Sequence, residues 1–135
     1  MNDEVKKYLK KAEHSLKVAK DLSVLAYYSD AASKIYYSMF YASQALLKSE
    51  NIHVIKHSAV ESALGYYFVK QGKIDSKFHK MLINARRVRE TADYDIDTDT
   101  DEENIEPVLT LRVEDGQTFF QEIQRIISSA ETKSD

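Results

Sequence analysis

Ser29-Asp30-Ala31-Ala32-Ser33-Lys34-Ile35-Tyr36-Tyr37-Ser38-Met39-Phe40-Tyr41-Ala42-Ser43-Gln44-Ala45-Leu46-Leu47-Lys48-Ser49-Glu50 is the stretch that decides the fold. Its apolar positions Ile35, Tyr36, Met39, Phe40, Ala42, Leu46 and Leu47 recur at helical spacing and make a face too wide for a single neighbour. This pattern predicts a central helix touching two partners. Ser29 or Asp30 can cap its start, and Asn51 is a plausible stop. The rings of Tyr36, Tyr37, Phe40 and Tyr41 are expected to pack in the core and between helices, with buried hydroxyls available to a charged group.

The flanking segments have the same period. Val5, Leu9, Ala12, Leu16, Ala19 and Leu22 form an apolar stripe on a helix from about Glu4 to Leu25, whose other side carries Lys6, Lys10, Lys17 and Lys20 as a solvated face. Ser58-Ala59-Val60-Glu61 reads as a capping box opening a third helix, which Gly72 closes in a left-handed position. A fourth helix begins near Asp75 and carries Phe78, Leu82, Ala85 and Arg89 on one stripe. A last helix holds Phe119, Phe120, Ile123, Ile126 and Ile127, with a short turn before Pro107 and the main helix after it. The tail beyond Ala130 is expected to fray. Long helices, short connections, three Gly and one Pro describe an all-α, antiparallel up-and-down bundle of four to five helices, one domain over residues 1–130.

Composition narrows the chemistry. The absence of Cys removes disulfides, zinc-thiolate sites and thiol nucleophiles. No apolar run approaches the roughly 18 residues needed to span a bilayer, and Met1-Asn2-Asp3-Glu4 is not the start of a signal peptide, so a cytoplasmic protein without membrane contact is expected. There is no Gly-rich phosphate loop and no Gly-X-Ser-X-Gly elbow; no cofactor is expected. Residues 1–90 hold 16 Lys/Arg against 9 Asp/Glu, while residues 91–135 hold 3 against 13. Either the acidic last part packs on a basic scaffold, or the basic part forms a groove for a phosphate-bearing partner such as RNA.

Arg89 is the residue out of place. A guanidinium on a core-facing stripe needs an acidic or tyrosine partner, or it lines a functional groove, because an unpaired buried charge costs several kcal/mol. His57, just ahead of Ser58, can reach the mouth of a bundle. His14, His53 and His79 read as surface or loop residues, and no two histidines share a helix at metal-protease spacing. Asp95, Asp97, Asp99, Asp101 and Glu106 have the spacing of a calcium loop, but Thr100 stands where such a loop needs Gly. The same segment reads as a capping box, Thr100-Asp101-Glu102-Glu103, so no metal site is assigned and these five carboxylates are a weak candidate.

Four segments together, Ser33-Lys34-Ile35-Tyr36-Tyr37-Ser38-Met39-Phe40, Lys56-His57-Ser58, Phe68-Val69-Lys70-Gln71-Gly72 and Arg89-Glu90-Thr91-Ala92-Asp93-Tyr94, resemble the HEPN superfamily, in particular its small stand-alone UPF0332 group. The resemblance covers nearly the whole chain. It implies a homodimer in which the ends of the fourth helices meet across a cleft, here around Tyr36, Tyr37, His57, Arg89, Asp93 and Tyr94. Many HEPN proteins are metal-independent ribonucleases with an Arg and a His separated by four to six residues. Arg89 matches the first, and Tyr94 stands at the second. With an unperturbed pKa of about 10, Tyr is poorly matched to general base work at neutral pH. Other HEPN proteins partner minimal nucleotidyltransferases in toxin–antitoxin pairs, and in such a pair Tyr94 is a candidate nucleotide acceptor. Three readings result: a module that pairs with a nucleotidyltransferase and binds nucleotide or RNA through the Arg89–Tyr94 cleft; a metal-independent endoribonuclease in which His57 or Asp93 replaces the missing His; and a structural polar network of Arg89, Asp93 and Tyr94.

Overall fold

The computed structural model describes residues 1–94 and 106–133; at Asp93, Tyr94, Glu106, Pro107 and Lys133 the description is of the backbone alone. Among the described residues six α-helices occur in order: α1 (Asp3–Val24), α2 (Tyr28–Ser49), α3 (His57–Leu64), α4 (Ser76–Tyr94), α5 (Glu106–Thr110) and α6 (Val113–Lys133). A π-helical turn, Gly65–Val69, continues α3 without a break. No strand occurs among the described residues, and the fold is the all-α bundle expected. No described helix is long and apolar enough to cross a membrane.

α2 is the hub. It packs against α1, α3, α4, α5 and α6, and every position named on its wide face is buried. Close approach on the α1 side comes from small residues. Ala12 is fully buried there, and the buried Ser38 hydroxyl donates to its carbonyl at 2.8 Å, so one polar group is satisfied inside an apolar contact. α6 seats with its first turn on the same pair: a Cβ at Gly116 would stand 2.5 Å from Leu16 Cδ2 and 3.4 Å from Ile35 Cγ2. Gly116 therefore marks tight packing inside a helix. The lysines Lys6, Lys10, Lys17 and Lys20 are exposed, as a solvated face should be.

Three helix ends share one device. Tyr27 N–H bonds to the Leu22 carbonyl, Ile52 N–H to Leu47 and Lys73 N–H to Phe68, with the left-handed residues Ala26 (φ 63°), Asn51 (φ 62°) and Gly72 (φ 73°) just before each donor. This is the Schellman closure, which satisfies orphan carbonyls and turns the chain sharply. Asn51 and Gly72 are legible as stops; Ala26 is the unexpected one, because a Cβ disfavours that conformation.

Helix starts depart from expectation. α2 begins at Tyr28 directly after the Ala26 corner, so neither Ser29 nor Asp30 caps it. α3 begins at His57 with Lys56 as its N-cap and no side-chain cap bond; Ser58 lies inside the first turn and Glu61 is engaged elsewhere. Pro107 is the second residue of α5, a place where its missing N–H costs nothing, and the main helix α6 follows it; the turn expected before it lies outside the described residues. α6 starts after Arg112, whose N–H is accepted by Asp115 Oδ2 at 2.9 Å. It runs on to Lys133, with Glu131 2.8 Å from the N-terminal amine. The capping box at Thr100-Glu103 lies outside the described residues.

Candidate functional site

The site grows from two adjacent turns of α2. Tyr36, Tyr37, Phe40 and Tyr41 present a continuous ring surface there: Tyr36 and Tyr37 meet edge to face at 5.3 Å, and Tyr37 and Tyr41 lie 6.0 Å apart. α3 brings His57 to this surface. Its imidazole stacks on Phe40, with centroids 4.3 Å apart and planes within 13°, and lies nearly parallel to Tyr36 at 5.5 Å. A hydrogen bond joins the Tyr36 hydroxyl to His57 Nδ1. α4 lays the Arg89 guanidinium 5.3 Å from the Tyr36 centroid and 5.5 Å from that of Tyr37, with Nη1–H donating to the Tyr37 hydroxyl at 3.4 Å. The core-facing arginine thus has the tyrosine partner its position calls for. Cation–π contact contributes roughly 0.5–2 kcal/mol in such a setting.

Around this core lies an ionic bracket that the sequence did not single out. Arg86 Nε–H donates to Glu61 at 2.6 Å, and Arg86 Nη1 reaches both carboxylate oxygens of Glu90 at 3.2 Å. One turn beyond its start, α3 is held to α4 by that pair, and His79 Nε2–H adds a bond to the Glu61 carbonyl at 2.8 Å. The signals were present as spacing: His79, Arg86 and Glu90 fall on one α4 stripe, and Arg86 and Glu90 are one turn apart. What sequence alone could not do was sort Arg86, Arg87 and Arg89 by role.

The electrostatics stem from this placement. Burial, with the Glu61 charge assisting, pushes the Tyr36 hydroxyl well above the ordinary tyrosine range, so it stays a neutral phenol. Burial first, and the positive Arg89 second, hold His57 below the ordinary histidine value, while Glu61 and Glu90 pull the other way. The Glu61 hydrogen bond raises the Arg86 pKa. At neutral pH a neutral phenol therefore meets a neutral imidazole. The phenol, the better donor, gives its hydrogen to Nδ1, which places the imidazole hydrogen on Nε2. A single tyrosine thereby carries a cation against its ring and a titratable nitrogen base at its hydroxyl. Such a set can bind phosphate, stabilise charge growing on it and relay a proton.

Of the residues singled out from sequence, the structure brings together Tyr36, Tyr37, His57 and Arg89. α4 continues through Asp93 and Tyr94, whose side chains lie outside the described residues. Asp95, Asp97, Asp99 and Asp101 lie wholly outside them, and Glu106 is described only as the first residue of α5. Among the described residues no group of three or more metal-ligating side chains converges.

Comparison with known proteins agrees with this architecture. The family model described as "HEPN domain" matches residues 5–131. The chain belongs to the HEPN family. Two relatives of this HEPN domain come from Methanocaldococcus jannaschii. One, named "Putative toxin MJ0142", is 37% identical over 106 residues, spanning 78% of this chain and 72% of the relative. The other, named "Putative toxin MJ0605", is 33% identical over 103 residues, or 76% and 77% of the two chains. A Thermotoga maritima protein named "UPF0332 protein" is 33% identical over 97 residues, 72% of this chain and 70% of its own, and places the HEPN domain within the UPF0332 group.

Proposed function

We propose that this HEPN domain is the toxin-like member of a cytoplasmic pair whose other member is a minimal nucleotidyltransferase, and that it binds the phosphate of a nucleotide or RNA at Arg89. The observation that carries the reading is the meeting of Arg89 and His57 on the same tyrosine, Tyr36. A guanidinium held among aromatic rings offers charge to a phosphate, and the part-exposed rings of Tyr37 and Tyr41 offer surface for a base, the combination that single-stranded nucleic acids and nucleotides require. In this reading the protein is a homodimer, with Asp93 and Tyr94 at the rim of the cleft and Tyr94 as nucleotide acceptor. The names of the Methanocaldococcus jannaschii relatives support the toxin-like role.

Labelled AMP titrated into wild-type protein and Arg89→Ala tests the cleft. Binding lost in the variant with little change in melting temperature is expected. Equal loss of binding and of several kcal/mol of stability would instead mark a structural network. For the acceptor role, co-expression with the nucleotidyltransferase should add a nucleotidyl mass to wild type and none to Tyr94→Phe; unchanged labelling of that variant ends the assignment.

A second reading has a specific observation behind it. His57 is neutral, oriented by Tyr36 and next to Arg89, which is the pairing a metal-independent ribonuclease needs. In the other tautomer, with Nδ1–H donating to the Tyr36 oxygen, His57 Nε2 would take the proton of a 2′-hydroxyl, or Asp93 would in its place, while Arg89 stabilises the phosphorane charge and the 5′-oxygen leaves. RNA cleavage that survives EDTA and disappears in both His57→Ala and Arg89→Ala would replace the binding reading with this one.

A further inference from the structure

We propose that Tyr66 and Tyr67, with Lys70, Lys80 and Arg87, form a second contact surface that holds single-stranded RNA beside the Arg89 cleft. This deepens the preceding reading, on which it rests, by choosing the polymer over a mononucleotide as the ligand. The two tyrosines sit side by side in the π turn, their rings perpendicular at 4.9 Å, and remain 56% and 41% exposed. The buried neighbour Phe68 anchors the turn in the core, so the tyrosines are presented outward by a fixed backbone. Lys70 Nζ lies 5.2 Å from the Tyr66 ring centroid.

The turn is fixed relative to α4. Gly65 faces the His79 imidazole closely enough that a Cβ would lie 3.4 Å from its Cε1 and Nε2. On the solvent side of that same α4 stripe, helical periodicity places Lys80 and Arg87 two turns apart. From Lys56 to Arg89 the chain carries eight Lys/Arg against two Asp/Glu; of these cations Arg86 is engaged by Glu61 and Glu90, and Lys73 by Glu50. Exposed rings among surplus cations fit a chain of stacked bases with a phosphate backbone. They fit a second copy of this protein poorly, because a two-fold contact would set the basic segment against itself. His79, beside the turn, and Arg89 are separated by about 15 Å along the helix axis at about 1.5 Å per residue, so several nucleotides rather than one would join the two places.

The experiment is a fluorescence anisotropy titration of a short labelled oligouridylate, run beside labelled AMP. Tyr66→Ala and Tyr67→Ala should each weaken oligouridylate binding about tenfold and leave AMP binding and the melting temperature unchanged, while Tyr66→Phe binds as wild type. Lys70→Gln, Lys80→Gln and Arg87→Gln should each flatten the dependence of log affinity on log salt by about 0.7. Oligouridylate binding unchanged in both alanine variants overturns the surface, as does loss of dimer in those variants without loss of RNA. Wild type that binds AMP but no oligouridylate also overturns it while leaving the Arg89 reading in place. Oligouridylate binding that depends on Tyr66 and Tyr67 but not on Arg89 keeps the surface and ends the cleft.

Discussion

The two sides of α2 are built from different chemistry. Toward α1 and α6 the contact is apolar and close, with Ala12, Ala19, Leu16, Gly116 and Phe119 meeting without a charge among them. Toward α3 and α4 the same helix offers rings, and these meet an imidazole, a guanidinium and, one layer out, the Arg86–Glu61–Glu90 bracket. The first side holds the domain together by area removed from water. The second is satisfied hydrogen bond by hydrogen bond, and such a region can be altered in function without being lost in fold.

Breaking the apolar side should therefore cost most. Phe119, fully buried, contacts Phe78 edge to face at 6.1 Å. Phe119→Ala should lower unfolding stability by about 3–5 kcal/mol in urea titration, through lost transfer energy and the cavity left behind.

The polar side responds on a smaller scale and in a different observable. Glu61→Gln removes one arm of the bracket while Glu90 still holds Arg86, and should cost about 1.5 kcal/mol. In the same variant the His57 pKa should fall further, because Glu61 is one of the charges that raises it. An NMR titration of the imidazole reports this directly, and a value that rises instead would refute the arrangement.

The smallest effect sharpens the contrast through pH. His57 has a folded-state pKa below its unfolded value, so the unfolded chain binds the proton first. Its contribution is present above the ordinary histidine value of about 6.5 and is lost as the pH falls below it toward the folded value. Melting temperature should decline across that window more in wild type than in His57→Asn, whereas Phe119→Ala should leave that difference intact.

The apolar side was legible in the sequence and the polar side half so, for one physical reason. Burial repeats, so Val5 to Ala19 and Ile35 to Leu47 announce their faces by period. Partner choice does not repeat. Ser58-Ala59-Val60-Glu61 has the pattern of a capping box, but Glu61 has a guanidinium within reach, and a charged partner outcompetes a backbone amide. The placement of Arg89 against tyrosine could be read from its stripe. That Arg86 rather than Arg87 would clamp α3 could not, since it depends on how far α3 lies around α4. Ala26 gave no sign of ending α1, because a helix former in a left-handed corner is set by the packing of the helices on either side.

The π turn has a consequence for the length of the chain itself. Lys70 N–H bonds to the Gly65 carbonyl, so this turn closes over five residues where an α-helix would close over four. It stores one extra residue. Deleting a single position between Gly65 and Val69 would let the segment relax to an ordinary helix while the chain on either side kept its facing, because the wide turn already absorbs the extra residue. With Gly65 to Tyr67 shortened by one, Phe68 would stay in the core and the Gly72 corner would still aim the chain at the start of α4. Loss of one codon here would remove a surface position without reassigning which rings face inward, so the segment tolerates a shortening by one where an ordinary helix would not.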